Sequence, residues 1–213
     1  MAFDLPSGQV LLDCDDVLLD WIAGFIPFAR NRLKLDIDPR GPGQFDLTPW
    51  LKTGSSAETL EILRLFNEGS DTGFSTLPPI PGAVEAIREL REMGLTLRVI
   101  TSCSANPSVR RRRRSNLENI FGSDVFDEII CLDMGVSKAD ALRAQPLSAW
   151  IEDLPKNALE GHLIGHKACV LAAHHNGPDR EGFVSNHDVP WFDNWEQVMA
   201  GLFRAPYAFP LTL

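Results

Sequence analysis

Short apolar runs alternate with amphipathic helical patterns along most of this 213-residue chain. The apolar runs predict strands at residues 9–12, 95–100, 125–131, 149–151 and 168–172. The patterns between and after them predict helices at residues 83–93, 107–119, 137–144, 156–163 and 194–203. Alternation at this spacing predicts an α/β fold, in which a doubly wound, mostly parallel, Rossmann-like sheet is covered by helices on both faces.

Residues 21–76 interrupt the alternation. Apolar residues recur at helical spacing from Val17 to about Leu35, and a second helical pattern covers residues 57–67. Proline and glycine punctuate residues 36–56 and 69–81, which predicts loops there. We therefore predict a core domain formed by residues 1–20 and 77–213, and a small all-helical cap domain formed by residues 21–76. Hinges are expected at about residues 19–21 and 76–81.

Composition narrows the class of protein. Hydrophobic residues make up 44% of the chain, enough for one sizeable core. Acidic residues outnumber Lys and Arg by 29 to 20, which argues against binding to polymeric nucleic acid or to an anionic membrane. The N-terminus lacks a signal-peptide pattern, and no apolar run approaches the ~20 residues that cross a bilayer. We therefore expect a soluble protein of the cytoplasm.

Polar side chains follow four of the predicted strands, at or just beyond the point where each strand ends. In an open α/β sheet, ligands bind at the carboxyl ends of the strands. The side chains are Asp13 and Asp15 after the first strand, Thr101 and Ser102 after the second, Lys138 after the third, and Glu152 and Asp153 after the fourth. These are the groups that phosphoryl transfer needs: a nucleophile, a proton donor, a cation and anchors for phosphate.

The chemistry of each group supports this interpretation. Neighbouring carboxylates repel each other unless a cation neutralises them, and an oxygen-rich site without thiolate or imidazole suits magnesium. Hydroxyls beside helix N-terminal N–H groups, and a lysine, can hold phosphate oxygens. Taken singly, each signal also has a plain alternative, namely an Asx turn, a helix cap or a solvated lysine.

Together these residues resemble the motifs of the haloacid dehalogenase-like superfamily of phosphohydrolases. The matching residues are Asp13-Cys14-Asp15-Asp16-Val17-Leu18, Thr101 after Val99-Ile100, Lys138, and Glu152-Asp153 with Asn157. The resemblance implies that Asp13 is the nucleophile that becomes an aspartyl phosphate, and that Asp15 is the general acid and base. It implies that Thr101, Ser102 and Lys138 hold the phosphoryl oxygens. Mg²⁺ would bind Asp13, the backbone carbonyl of Asp15, and Asp153, with Glu152 ordering a metal-bound water.

A narrower resemblance is to the deoxyribonucleotidases, which also carry a helical cap between the first two motifs. The His-His-Asn-Gly turn at residues 174–177 and the segment 190–195 are similar to theirs, although Asp16 stands where that family usually has glycine. A small phosphorylated substrate is implied, such as a deoxyribonucleoside monophosphate. Candidates to stack on its base are Trp21, Phe25, Phe45 and Trp50, which could instead form the core of the cap.

Other functions stay open at this point. They are a phosphatase for sugar phosphates or phosphoglycolate, a phosphotransferase, and a phosphate-binding module without turnover.

Three further features have plain interpretations. The run Arg110–Arg114 points all around its predicted helix, so we expect a solvated face with some pairing to Glu118. His174 and His175 could be metal ligands, but because no thiols or further histidines lie at ligand spacing, we expect them in a surface turn. No two cysteines form a CxxC pair, which predicts free thiols at Cys14, Cys103, Cys131 and Cys169.

Overall fold

The computed structural model describes residues 7–204 and has one six-stranded sheet as its centre. The strands are β1 Gln9–Leu12, β2 Thr96–Ser102, β3 Glu128–Leu132, β4 Ala149–Glu152, β5 Lys167–Leu171 and β6 Trp191–Phe192. Their order in the sheet is β3-β2-β1-β4-β5-β6, and every pairing is parallel. The predicted α/β class with a parallel sheet is confirmed.

Nine α-helices lie within residues 7–204. They are α1 Trp21–Pro27, α2 Thr48–Leu51, α3 Ser56–Glu68, α4 Ala83–Glu92, α5 Pro107–Phe121, α6 Ala139–Arg143, α7 Pro155–Ile164, α8 Arg180–Asn186 and α9 Trp195–Val198. Both α1 and α9 continue into a π-helical turn, at Phe28–Arg32 and Met199–Phe203. Among these described helices, none combines the length and apolar character that a membrane span requires.

The sheet is buried on both faces. Successive residues of a strand point to opposite sides, so Val10 and Leu12 pack into one hydrophobic cluster while Leu11 packs into the other. The first cluster includes residues of α4, α5 and α9, and the second includes residues of α6, α7 and α8. Each large side chain buried in this way stabilises the fold by about 1.5–3 kcal/mol.

Residues 21–76 form a helical insertion between β1 and β2, containing α1–α3 and no strand. Its core is aromatic: Trp21 stacks on Phe25 with ring centroids 4.5 Å apart, and Phe66 meets both rings edge-on. The two connections to the sheet run side by side, since the Asp20 N–H donates to the Pro78 carbonyl over 2.8 Å. The Ile80 N–H likewise donates to the Leu18 carbonyl.

β1 lies at the point where the strand order reverses. Leu12 is in register with Val99 of β2 on one side and with Ile151 of β4 on the other. The connection that leaves β1 leads to β2 on one side, and the connection that leaves β4 leads to β5 on the other, which opens a crevice at the carboxyl ends of these two strands. Asp13 is the first residue beyond that end.

Candidate active site

The strand ends bring Asp13, Lys138 and Glu152 into direct contact. The Lys138 ammonium lies 2.7 Å from Asp13 Oδ1 and 2.8 Å from Glu152 Oε2. Lys138 immediately precedes α6, and Glu152 is the last residue of β4, so short elements fix both groups. All three side chains are buried, which makes this a desolvated cluster of two acids and one base.

Burial and charge decide the protonation of this cluster. Burial, helped by the nearby Glu152 carboxylate, raises the pKa of Asp13 to about 7, although Lys138 opposes the shift. Burial likewise raises the pKa of Glu152 to about 7 against the effect of Lys138. Burial alone would lower the pKa of Lys138. The carboxylates of Asp13 and Glu152 have the larger opposite effect, so the pKa lies above its ordinary value and the amine stays charged.

Some carboxylate oxygens of Asp13, Glu152 and Asp153 already accept hydrogen bonds, and others do not. Glu152 uses both, because Oε2 contacts Lys138 and Oε1 accepts the N–H groups of Asp153 and Leu154. Within residues 7–204, no hydrogen-bond donor contacts Asp13 Oδ2 or Asp153 Oδ1. Carboxylate oxygens of Asp13, Glu152 and Asp153 all lie within 4.8 Å of one another. The acidic cluster therefore offers two free oxygens to a hard cation.

Two hydroxyls lie at the carboxyl end of β2, the strand that pairs with β1. Thr101 is completely buried, and its Oγ1 has no hydrogen-bond partner among the described residues. A buried hydroxyl without a partner is costly, which makes it a candidate to bind a ligand oxygen. Ser102 follows it and is half-buried.

Asp15 is held by an arginine. The Arg113 Nη2 lies 2.6 Å from Asp15 Oδ1, and the guanidinium carbon lies 4.2 Å from the centroid of the Phe74 ring. Arg113 is 0% exposed, whereas the Asp15 side chain is 25% exposed. Burial raises the pKa of Asp15, and the Arg113 guanidinium opposes that rise.

The expectation of a solvated arginine face is therefore wrong for Arg113. Helix α5 packs on the sheet with Val109, Arg113, Asn116 and Leu117 inward, and Asp15 supplies the opposite charge that a buried guanidinium needs. Arg112 also turns to the protein, donating to the carbonyls of Asn67 and Glu68. Arg114 keeps the expected position, 3.8 Å from Glu118.

The expectation for His175 is also wrong, because its side chain is buried rather than exposed in a surface turn. Its Nε2 lies 2.9 Å from Asp153 Oδ2, and its Nδ1 lies 3.6 Å from Asp16 Oδ2. Burial would lower the pKa of His175, but Asp153 and Asp16 raise it overall. The turn that carries His175 follows the carboxyl end of β5, and this was the signal that could have identified it.

Asp16 completes this second group of charges. It adopts a left-handed backbone conformation with φ of 58°, and its Oδ1 accepts the Trp21 N–H at the start of α1. Burial, with the nearby Asp153, raises the pKa of Asp16 well above its usual range. The Asn176 side-chain amide donates hydrogen bonds to the carbonyls of Asp153 and Leu171, which fixes the backbone at the ends of β4 and β5.

The four aromatic candidates separate into two groups. Trp21 and Phe25 are buried in the core of the insertion, as the alternative interpretation expected, and offer no exposed ring. Trp50 is half-buried and donates its indole N–H to the Asp38 carbonyl. Phe45 is 61% exposed, and its ring centroid lies 5.8 Å from that of His175. Of the four, Phe45 is the one placed to meet a ligand.

A groove of about 680 Å³ lies apart from these groups, between α3 of the insertion and residues 104–106 of the core. Glu68, Ser104 and Asp133 contribute to its walls, but Asp13, Thr101 and Lys138 do not.

Comparison with known proteins places the fold. The chain matches no family model. It is 26% identical over 207 residues to human mitochondrial 5′(3′)-deoxyribonucleotidase, which covers 90% of this chain and 82% of that protein. A hydrolase of the HAD family (haloacid dehalogenase-like) from Deinococcus radiodurans, solved with bound phosphate and sodium, superposes with a TM-score of 0.65. Its sequence identity is 19%, with 93% of this chain and 96% of that chain covered.

A putative phosphoglycolate phosphatase from Lactobacillus delbrueckii superposes with a TM-score of 0.64 at 16% identity, covering 96% of this chain and all of that one. The six parallel strands and their order are consistent with these structural similarities. The chain has the fold of the haloacid dehalogenase-like phosphatases.

Proposed function

We propose that this protein is a magnesium-dependent phosphomonoester hydrolase that works through an aspartyl-phosphate intermediate. The observation that carries the proposal is the buried Asp13 at the switch point of the sheet, paired with Lys138, with the unpartnered Thr101 hydroxyl on the neighbouring strand β2. A nucleophile, a fixed cation and an unused phosphate ligand at one strand edge are the parts that phosphoryl transfer needs.

The reaction divides into two displacements. Asp13 Oδ2 attacks phosphorus, the bond from phosphorus to the ester oxygen breaks, and Asp15 gives its proton to the departing alkoxide. Asp15, now a carboxylate, then takes a proton from a water that attacks the aspartyl phosphate. Inorganic phosphate leaves and the Asp13 carboxylate is restored. This form of covalent catalysis needs one group that acts first as an acid and then as a base. Asp15, only two residues beyond the nucleophile, is consistent with both roles.

The remaining residues hold the charges in place. Thr101, Ser102 and Lys138 bind the phosphoryl oxygens, and Lys138 supplies the permanent positive charge. Magnesium would be held by Asp13, Asp153 and the backbone carbonyl of Asp15, where it offsets the repulsion between the Asp13 carboxylate and the phosphate. Asp153 Oδ1 has no protein donor within the described residues, which fits this role, and Asp13 Oδ2, likewise without a donor there, is the oxygen that attacks phosphorus. Glu152 has neither oxygen free, so it acts on the cation only indirectly.

For the substrate, we favour a nucleoside or deoxynucleoside monophosphate. The human relative is named a deoxyribonucleotidase, and the exposed ring of Phe45 beside His175 provides a flat apolar surface next to the site. Residues 21–76 act as a cap domain over the core formed by residues 1–20 and 77–213, and they supply this ring.

The test is phosphate release from a panel of nucleoside monophosphates, sugar phosphates, phosphoglycolate and p-nitrophenyl phosphate, with and without EDTA. We expect turnover that EDTA abolishes and that Asp13→Asn reduces by at least about 10³-fold. The matched control is Asp140→Asn, which changes an exposed carboxylate two residues from Lys138 and should leave turnover intact.

The best substrate of the panel identifies the class. A preference for sugar phosphates or phosphoglycolate would replace the nucleotide assignment and leave the mechanism standing. If the folded protein binds magnesium and phosphate but hydrolyses no member of the panel, the mechanism is wrong and a phosphate-binding module takes its place.

A further inference from the structure

Arg113 is a buried charge whose hydrogen bonding is incomplete. One of its nitrogens, Nη2, contacts Asp15, while Nε and Nη1 are buried without a hydrogen-bond partner among the described residues. Unpaired donors on a desolvated guanidinium cost free energy, and a well-packed apolar side chain of similar volume is commonly as stable there. A role other than stability therefore accounts better for an arginine at this position.

The contact is directional. Arg113 binds Oδ1 of Asp15, while no donor contacts Oδ2 within residues 7–204, so the second oxygen is left to carry a proton. A planar guanidinium defines the direction of its hydrogen bonds more strictly than an ammonium does. With Oδ1 fixed, the position of Oδ2 is fixed as well.

One contact holds the Arg113 side chain, and a second holds the helix that carries it. Its guanidinium lies over the face of Phe74, which is completely buried at the end of the helical insertion. One turn further along α5, the Asn116 amide accepts the Leu77 N–H over 2.9 Å and donates to the Leu77 carbonyl over 3.1 Å. Helix α5 therefore ties one connection of the insertion to the side chain that contacts Asp15.

We propose that Arg113 is a positioning residue: it holds Oδ1 of Asp15, and Phe74 holds Arg113, so that Oδ2 faces the leaving-group oxygen when the insertion is closed over the site. This inference rests on the proposed function, in which Asp15 protonates the leaving group.

The test uses the leaving group. An alkoxide is a poor leaving group and needs the proton from Asp15, whereas p-nitrophenolate departs without one. We expect Arg113→Met to lower kcat/KM for the best alkyl phosphate of the panel by about 10²-fold and to leave that for p-nitrophenyl phosphate nearly unchanged. Asp15→Asn should show the same selectivity more strongly.

Further variants separate positioning from folding. Arg113→Lys keeps the charge but loses the planar fork, so it should lie between wild type and Arg113→Met in selectivity. Phe74→Leu removes the ring face under the guanidinium and should reproduce part of the selective loss. Arg112→Met is the matched control, because Arg112 binds carbonyls of the insertion without touching Asp15 and should affect both substrates equally. Circular dichroism and thermal unfolding establish that each variant is folded.

Each outcome decides the matter. Equal losses on both substrates for a folded Arg113→Met or Arg113→Lys protein would mean a structural role and overturn the inference. Selective loss in Asp15→Asn without it in the Arg113 variants would overturn the inference alone. No selectivity in Asp15→Asn would overturn the assignment of Asp15 as the acid and this inference with it.

Discussion

At the scale of single residues, the site is a compromise between burial and charge. Asp13, Glu152 and Asp153 are nearly inaccessible to water, and Lys138 is the one permanent cation among the described residues that contacts the first two. A buried carboxylate is destabilising unless it is paired or protonated. The chain therefore keeps an arrangement that is costly when empty and that a bound cation relieves.

This compromise predicts a pH-dependent stability for the metal-free protein. The pKa of Asp13 is raised from an ordinary value of 3.8 to about 7 in the folded state. Between these values the unfolded chain has lost the proton that the folded chain keeps, so stability falls as pH rises and the penalty is complete above about 7. Asp13→Asn, which cannot ionise, should therefore gain on wild type across that window, by on the order of a few kcal/mol.

Urea unfolding of both proteins in EDTA, at several pH values from 4.5 to 7.5, measures this difference. Magnesium should reduce the gain at the upper end, because it stabilises the ionised form of Asp13. A stability difference that is constant across the pH range would show that Asp13 ionises normally in the folded protein.

Thr101 offers a prediction in which stability and activity move in opposite directions. Its hydroxyl is buried without a partner in the described part of the chain, so Thr101→Val removes a desolvated polar atom and keeps the shape. We expect unchanged or slightly higher stability, by up to about 1 kcal/mol, together with a loss of about 10-fold or more in kcat/KM. Thermal unfolding and phosphate release on one preparation test this, and a destabilised variant would mean that the hydroxyl has a structural partner.

At the scale of elements, the close approach of α7 to β4 depends on a glycine. A Cβ added at Gly161 would lie 2.4 Å from Cδ1 of Trp150, a large, completely buried ring that cannot move aside. Gly161→Ala should therefore destabilise the protein by about 1–3 kcal/mol despite the better helix propensity of alanine. Gly182→Ala in α8 is the matched control, since nothing lies within 4 Å of its added Cβ.

Urea unfolding of the two alanine variants tests this packing. The control should be neutral or more stable by up to about 1 kcal/mol, because alanine is the better helix former. A Gly161→Ala protein that is as stable as the control would show that Trp150 repacks without cost.

The elements that the sequence predicted are those with a strong local pattern. The run at residues 9–12 and the amphipathic helix ending before Gly94 appear where their periodicity placed them. β6 and α8 were not predicted: β6 has two residues, and α8 has seven, with Gly182 among them. Short elements of this kind are formed by packing against β5 and the second hydrophobic cluster, which no local pattern encodes.

The site residues follow the same rule. Asp13, Thr101, Lys138 and Asp153 could be selected because each lies at or just beyond the end of a strand, and parallel strands carry their ends to one edge. Arg113 could not be selected by that reasoning, and His175 was missed although its turn follows the end of β5. One lies in mid-helix within a run of five arginines and the other in a turn, and their burial depends on Asp15, Asp16 and Asp153 arriving from other elements.

At the scale of the whole molecule, the insertion contacts the surroundings of the site, since the Phe45 ring centroid lies 5.8 Å from that of His175. Asp13, Thr101 and Lys138 are each at most 6% exposed, and we propose that a movement of the insertion admits the substrate phosphate to them. The insertion has a continuous aromatic core, and its two connections are hydrogen-bonded to each other at Asp20 and Ile80. We therefore expect it to move as one body about the predicted hinges at residues 19–21 and 76–81.

One group of polar contacts that oppose this movement lies at the end of α3. Glu68 accepts from the Ser104 hydroxyl over 3.3 Å, and Arg112 donates to the carbonyls of Asn67 and Glu68. Polar contacts of this kind are weak enough to break within a catalytic cycle. Opening should therefore separate the end of α3 from residues 104–106 and leave the aromatic core intact.

Hydrogen exchange with and without magnesium and tungstate, an unreactive phosphate analogue, tests this movement. We expect the amides of residues 66–69 and 104–106 to exchange more slowly when the analogue binds. In the closed state the end of α3 separates less often from residues 104–106, so these amides are less often exposed to solvent. The amides of Asp20 and Ile80 should be slow in both states, since the connections stay paired. Thr101→Val is the control that should respond only at higher tungstate concentrations. Slowing that spreads evenly over the insertion would instead mean that it opens by local unfolding, and the insertion would then be ordered by its substrate rather than moved by it.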